Sequence, residues 1–134
     1  MMRYIFIFLF LLFSASMKAP EDNSLIIPAG VRIDPFKPLK YGIGMVECNL
    51  DTMAYNTKER ATGYFQITPI RLKDYNQRTG SNLQLSEMFD YAKAETVFMY
   101  YTFRFGVYRI DDAILDWNCQ SRKYLNKVKK HLTN

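Results

Sequence analysis

A glutamate placed where an apolar helix face meets polar chain is the first candidate for proton chemistry. Glu47 follows Val46, the last of three apolar residues (Leu39, Ile43, Val46) spaced i, i+4, i+7 on one helix face. A carboxyl group at such a boundary between core and cleft loses water. Its pKa rises, and it can donate a proton near neutral pH. Most glutamates are simply solvated, so Glu47 gains meaning only from its company. Trp117 is a second candidate, because a flat amphipathic ring can stack on a sugar face. Core packing is its competing reading. Other chemistries fail on residue counts. Two cysteines, Cys48 and Cys119, and one histidine, His131, are too few for a four-Cys or a two-Cys, two-His zinc site. His131 also falls within the last four residues, which argues against a Ser/His/Asp hydrolase.

These side chains need a scaffold, and 134 residues give room for one domain. The chain is 49% hydrophobic and 23% charged, with a net charge of +5. Such a composition excludes a wholly disordered chain, a collagen, a coiled coil and a disulfide-dense miniprotein. Met1-Met2-Arg3, the apolar run Tyr4 to Phe13 and the small residues Ser14-Ala15-Ser16 have the layout of a signal peptide over 1–16. The run is too short for a spanning helix, which needs about 20 apolar residues; a buried N-terminal element is the competing reading. Export to the periplasm or the medium is expected, with no membrane contact after signal removal. The mature chain loses Arg3 and stays basic. Its one Lys/Arg cluster, between Lys127 and Lys130, gives no reason to expect nucleic acid.

Residues 17–35 contain Pro20, Pro28 and Pro35 and no helical period, so they read as an extended N-terminal arm. A single domain is expected over 36–134. Its first helix carries Leu39, Ile43 and Val46 and ends near Glu47–Asn49. Gly42 and Gly44 each weaken it by about 1 kcal/mol relative to Ala, so packing must hold it. Residues 50–67 read as loop or a short hairpin. Thr68 as N-cap and Pro69 in the first turn open a helix to Thr79, which Gly80 ends. Ser86 opens the longest helix, with Tyr91, Ala94, Phe98, Tyr101 and Phe105 as a core-facing stripe and Gly106 at its close. Asp111 caps a short helix through Trp117. Ser121 caps the last, where Tyr124 and Val128 share a face. The expected fold is mainly α, about five helices with a short loop or β insertion after the first.

Four motifs then stand in order: Glu47-Cys48-Asn49, Gly63-Tyr64-Phe65-Gln66-Ile67-Thr68-Pro69, Asp116-Trp117-Asn118 and Tyr124 with Val128. The set resembles the catalytic domain of the soluble lytic transglycosylases, in the lysozyme-like superfamily, over about residues 39–132. The resemblance implies a lysozyme-like fold with Glu47 as the single catalytic acid. It implies Gly63, Gln66 and Asn118 as glycan-binding positions, and Tyr124 as a hydroxyl reaching toward Glu47. Ile67 and Pro69 match the tail of the second motif. Cys48 replaces the family's Ser after the Glu, Tyr64-Phe65 replaces Leu-Met, and Asp116-Trp117 replaces Ala-Tyr.

The activity so implied is cleavage of the β-1,4 bond between N-acetylmuramic acid and N-acetylglucosamine in peptidoglycan glycan strands, leaving a 1,6-anhydro product. One carboxyl group performs both proton transfers, with no metal and no cofactor. Alternatives are a lysozyme-like hydrolase, and an inactive wall-binding accessory of a secretion, conjugation or phage system. A monomer is expected, working alone or beside a cell-envelope machine. Asp51 reads as a loop cap and Asp116 as a solvated helix residue. If the motifs converge, Cys48 and Cys119 become neighbours. An oxidising compartment could then join them in a disulfide worth about 4 kcal/mol. Two free thiols acting as small apolar residues are the alternative.

Overall fold

The first helix, α1 (Lys37–Cys48), starts with Pro38 in its first turn, where a missing N–H costs nothing. It stops where Asn49 turns left-handed at φ 53°. The computed structural model describes residues 33–132. The expected signal peptide, and the expected arm as far as residue 32, lie outside the described residues. Leu39, Gly42, Ile43 and Gly44 form the buried face of α1. A Cβ on Gly44 would lie 2.1 Å from the Tyr64 ring. The glycine therefore admits that ring, and this contact outweighs its poor helix propensity.

The segment after α1 resolves into a hairpin. Strand β1 (Tyr55–Asn56) pairs antiparallel with β2 (Ala61–Thr62), Tyr55 opposite Thr62 and Asn56 opposite Ala61. The Asn56 Oδ1 accepts from the backbone N–H of Lys58 at 3.0 Å and closes the turn. Asp51 caps its loop as expected, its Oδ1 accepting from the N–H of Met53 at 2.8 Å. The chain then doubles back, with Thr62 bridging Ile67.

Helix α2 (Pro69–Thr79) has the expected ends. The Thr68 side chain accepts from the Arg71 N–H, and Gly80 is left-handed at φ 71°. The long helix expected from Ser86 is a correction. A 3₁₀ turn (Leu85–Phe89) comes first, then helix α3 (Tyr91–Thr102), then a second 3₁₀ turn (Phe103–Phe105). The cause is local hydrogen bonding. Gln84 and Glu87 form a capping box around the first turn. Asp90 then caps α3 by accepting from the Lys93 N–H. The aromatic stripe accordingly splits: Ala94 and Phe98 are buried, Tyr91 is exposed, and Tyr101 and Phe105 are half-buried.

Helix α4 (Ile110–Trp117) starts two residues earlier than expected, with Arg109 in place of Asp111 at the cap position and making no capping bond. Asp111 lies in its first turn and pairs with Lys129 at 2.8 Å. Helix α5 (Arg122–Lys129) is capped by Ser121, which accepts from the Tyr124 N–H. The result is a mainly α domain of five α-helices among the described residues, with a two-stranded insertion after the first. Its single core joins Ile43, Phe65, Ile67, Met88, Phe98, Ile114 and Val128. Phe65 and Phe98 stack at 4.4 Å. Each such large side chain contributes about 1.5–3 kcal/mol by leaving water. Packing of α1 and α4 on α5 brings Glu47, Trp117 and Tyr124 to one place.

Candidate active site

Glu47 occupies the last turn of α1, and Tyr124 the first turn of α5. The Tyr124 hydroxyl donates to Glu47 Oε1 at 2.5 Å across 77 positions of sequence. Burial raises the Glu47 carboxyl above its ordinary pKa. The Tyr124 hydroxyl, the Arg71 charge and the Trp117 indole pull it partly back, and the Glu59 charge adds to the rise. Burial also raises the Tyr124 phenol, and the neighbouring Glu47 charge raises it further. Tyr124 therefore keeps its proton and acts as a donor to Glu47, and the carboxyl is the group that titrates.

The carboxyl lines a cavity of about 370 Å³, with Gln66, Trp117 and Asn118 among its walls. Gln66 holds an uncommon φ of 49°. Its amide nitrogen donates to the Gly63 carbonyl at 2.9 Å and to the Ala54 carbonyl at 3.3 Å. These bonds fix the loop and leave Gln66 Oε1 without a protein donor among the described residues. Asn118 sits at the C-cap of α4, half-buried, and its carbonyl accepts from the Ser121 N–H at 3.0 Å. Tyr124 is not in the cavity wall; it is buried behind Glu47 and holds the carboxyl from there.

Two expected glycan-binding roles change, and the cysteines take the free-thiol alternative. Gly63 is buried, and a Cβ there would meet the Met88 carbonyl oxygen at 1.9 Å. Its φ of +75° and this close approach make it a turn residue with no face toward the cavity. Trp117 is 5% exposed, with the Arg71 guanidinium 3.8 Å over its ring and Phe98 packed edge-on at 4.8 Å. No open face remains for a sugar, so Trp117 is core and cavity wall together. The cysteines are free. Cys48 Sγ turns back to donate to the carbonyls of Gly44 and Tyr64, at 3.4 and 3.2 Å. Cys119 sits on an exposed left-handed turn, φ 44°, at the cavity rim. The two thiols belong to neighbouring motifs but face different surroundings. Asp116 is not merely solvated; it pairs with Arg104 at 2.7 Å.

The sequence reading misses Arg71, Glu59 and Asn56, which also line the cavity. Arg71 donates to the Trp117 carbonyl at 2.9 Å, 46 positions away. Glu59 stands in the hairpin turn, and Asn56 shapes that turn. A firm assignment of the hairpin would have pointed to its acid; nothing local marks Arg71. A second, larger groove of about 740 Å³ adjoins the first and shares Thr68, Arg71 and Cys119 with it. Among the described residues, no three His, Cys, Asp or Glu side chains are grouped to hold a metal ion. No helix among them is long and apolar enough to cross a membrane.

The arrangement is a desolvated carboxyl group, a fixed hydroxyl donor behind it and amide groups around a polar cavity. It can give a proton to a bound oxygen and later take one back. No family model matches the chain, and no curated protein or solved structure matches it.

Proposed function

We propose that the chain is a peptidoglycan lytic transglycosylase, cutting the N-acetylmuramic acid to N-acetylglucosamine β-1,4 bond with Glu47 as both acid and base. One observation carries the reading: the half-buried Glu47 carboxyl, its pKa raised by burial, accepts the Tyr124 hydroxyl at 2.5 Å on the wall of a glycan-sized polar cavity. Protonated Glu47 donates to the glycosidic oxygen as the C1–O bond breaks. The muramic acid acetamido oxygen supports the cation-like sugar, one of the known departures from two-carboxylate glycosidases. The Glu47 carboxylate then removes the proton of the C6 hydroxyl, and O6 closes on C1. No water is consumed, and Glu47 ends protonated, as it began. Gln66 Oε1 and Asn118 supply hydrogen-bonding groups for the sugars. The lysozyme-like assignment, export to the periplasm or medium and service to a cell-envelope machine belong to the same proposal. They rest on the motif order and on the leader-like residues 1–16.

A second reading is favoured by Glu59. It lines the same cavity as Glu47, so a second carboxylate is present to activate water. The chain would then be a hydrolase. Digestion of purified sacculi with mass analysis of the products tests both. Products lighter by one water support the transglycosylase, reducing ends support the hydrolase, and no cleavage by the folded chain removes both. Glu47→Gln should abolish release of either product.

A further inference from the structure

Helix α5 and the Lys130 that follows it carry five cations and no acid. Tyr124, Leu125 and Val128 form the buried face of this helix. Arg122, Lys123, Asn126, Lys127 and Lys130 are exposed, and together they line a surface cavity of about 480 Å³. Lys129 pairs with Asp111 at 2.8 Å. Among the described residues, the other four cations have no acid within ion-pair distance. Lys123, Lys127 and Lys130 fall at i, i+4, i+7, a spacing at which like charges are neighbours and repel. An anionic surface would relieve that repulsion.

A second cavity, of about 370 Å³, adjoins the first, since Lys130 lines one and its neighbour His131 the other. Lys37, Pro38 and the exposed Tyr41 of α1 complete its walls. Asp34, whose charge reaches Lys37, is itself taken up by Lys40 at 2.5 Å. Cations beside a tyrosine suit the headgroup level of a bilayer. Phosphates there meet Lys and Arg, and an amphipathic ring rests among the headgroups. A linear polyanion has no use for Pro38 and the Tyr41 ring. Neither the Glu47 cavity nor the larger groove has a wall residue from α5. Tyr124 reaches Glu47 from the buried side of α5, so the cationic face looks away from that carboxyl.

We propose that the exposed face of α5, with Lys37 and Tyr41 of α1, docks the domain on an anionic phospholipid surface and leaves the Glu47 cavity open. The proposal departs from the expectation of no membrane contact. The cluster legible at 127–130 gains Arg122 and Lys123 by the helix period, and Lys37 and Tyr41 by the packing of α1 on α5. It does not depend on the reaction assigned to Glu47.

The test is sedimentation of the full chain with vesicles of phosphatidylcholine, alone or mixed equally with phosphatidylglycerol, at increasing lipid. Binding through the apolar run Tyr4 to Phe13 is common to every arm. The mixed vesicles should be bound at least about a hundredfold more tightly. Lys123→Gln with Lys130→Gln should lower that binding about thirtyfold, the share of two cations. The same loss of charge at exposed Lys58 and Lys73, in the hairpin turn and on α2, should lower it less than about threefold. Equal binding to the two kinds of vesicle would overturn the proposal whether or not a variant folds. Equal losses in the two double variants would overturn it too, because net charge alone would then explain the binding. If polyphosphate binds through Lys123 and Lys130 and the mixed vesicles do not, the partner is a linear polyanion and the lipid surface is overturned.

Discussion

Glu47 with Tyr124 and Asp74 with Tyr101 are one chemical pair in two settings. Each is a carboxylate accepting a tyrosine hydroxyl, at 2.5 Å and 2.7 Å. Their pKa values move in opposite directions. Glu47 goes up, because burial outweighs its hydrogen bonds. Asp74 goes down, because the Arg78 guanidinium and the Tyr101 hydroxyl both favour its charge in a site open to water. The hydrogen bond is thus common to both; the access of water and a cation at hydrogen-bond distance decide the sign. The first pair is held ready for proton transfer, and the second is a surface brace.

The sharpest way to break this contrast is to remove each acid. Glu47→Gln should lower sacculus cleavage by about a hundred- to ten-thousand-fold, the range for loss of a positioned acid. Asp74→Asn should cost far less, and cleavage assays on both variants decide. A comparable loss in the two would mean that the buried pair is not special.

Removing the hydroxyls gives a smaller effect. The Tyr124 bond favours the Glu47 carboxylate, so Tyr124→Phe should raise the Glu47 pKa further. The alkaline limb of the pH–rate profile, where Glu47 loses its proton as acid, should move to higher pH. Tyr101→Phe should leave that limb in place. A shift in the Tyr101→Phe profile, or none in Tyr124→Phe, would break the comparison.

Stability should separate the pairs as well. The folded state holds the Glu47 proton above its ordinary value of 4.5. Between that value and the raised one it binds more protons than the unfolded chain, so stability falls as pH rises through this window. Glu47→Gln should remove that fall. Asp74 has its folded pKa below its ordinary value of 3.8, so its contribution is present above 3.8 and is lost as pH falls through the lowered value. Asp74→Asn should lose stability at neutral pH and lose less on acidification. Urea titrations across pH 3 to 8, a range of about five units around these carboxyls, would measure both slopes.

What could be read in the sequence follows the range of the interactions. Thr68, Gly80 and Ser121 mark helix ends because caps involve neighbours two or three positions away. Glu47 and Tyr124 come from the resemblance, and no local pattern joins them. The long helix expected from Ser86 breaks at Asp90 because a side-chain cap competes with a continuous apolar period. Trp117 shows a ring type suited to sugars, but Arg71, 46 positions away, already covers it. The hairpin turn carrying Glu59 has short strands and little alternation, so its acid does not announce itself.

The two cysteines have a practical consequence. Burial pushes the Cys48 thiol up, and its hydrogen faces two carbonyls, which makes it a slow nucleophile. Cys119 is open to solvent at the rim shared by both cavities. A limiting amount of maleimide should therefore mark Cys119 first, which peptide mass mapping would verify. The native chain offers a ready attachment point for a fluorophore or spin label at the cleft mouth, with no engineered residue and no change to Glu47. Entry of a ligand into the cavity could then be followed in real time.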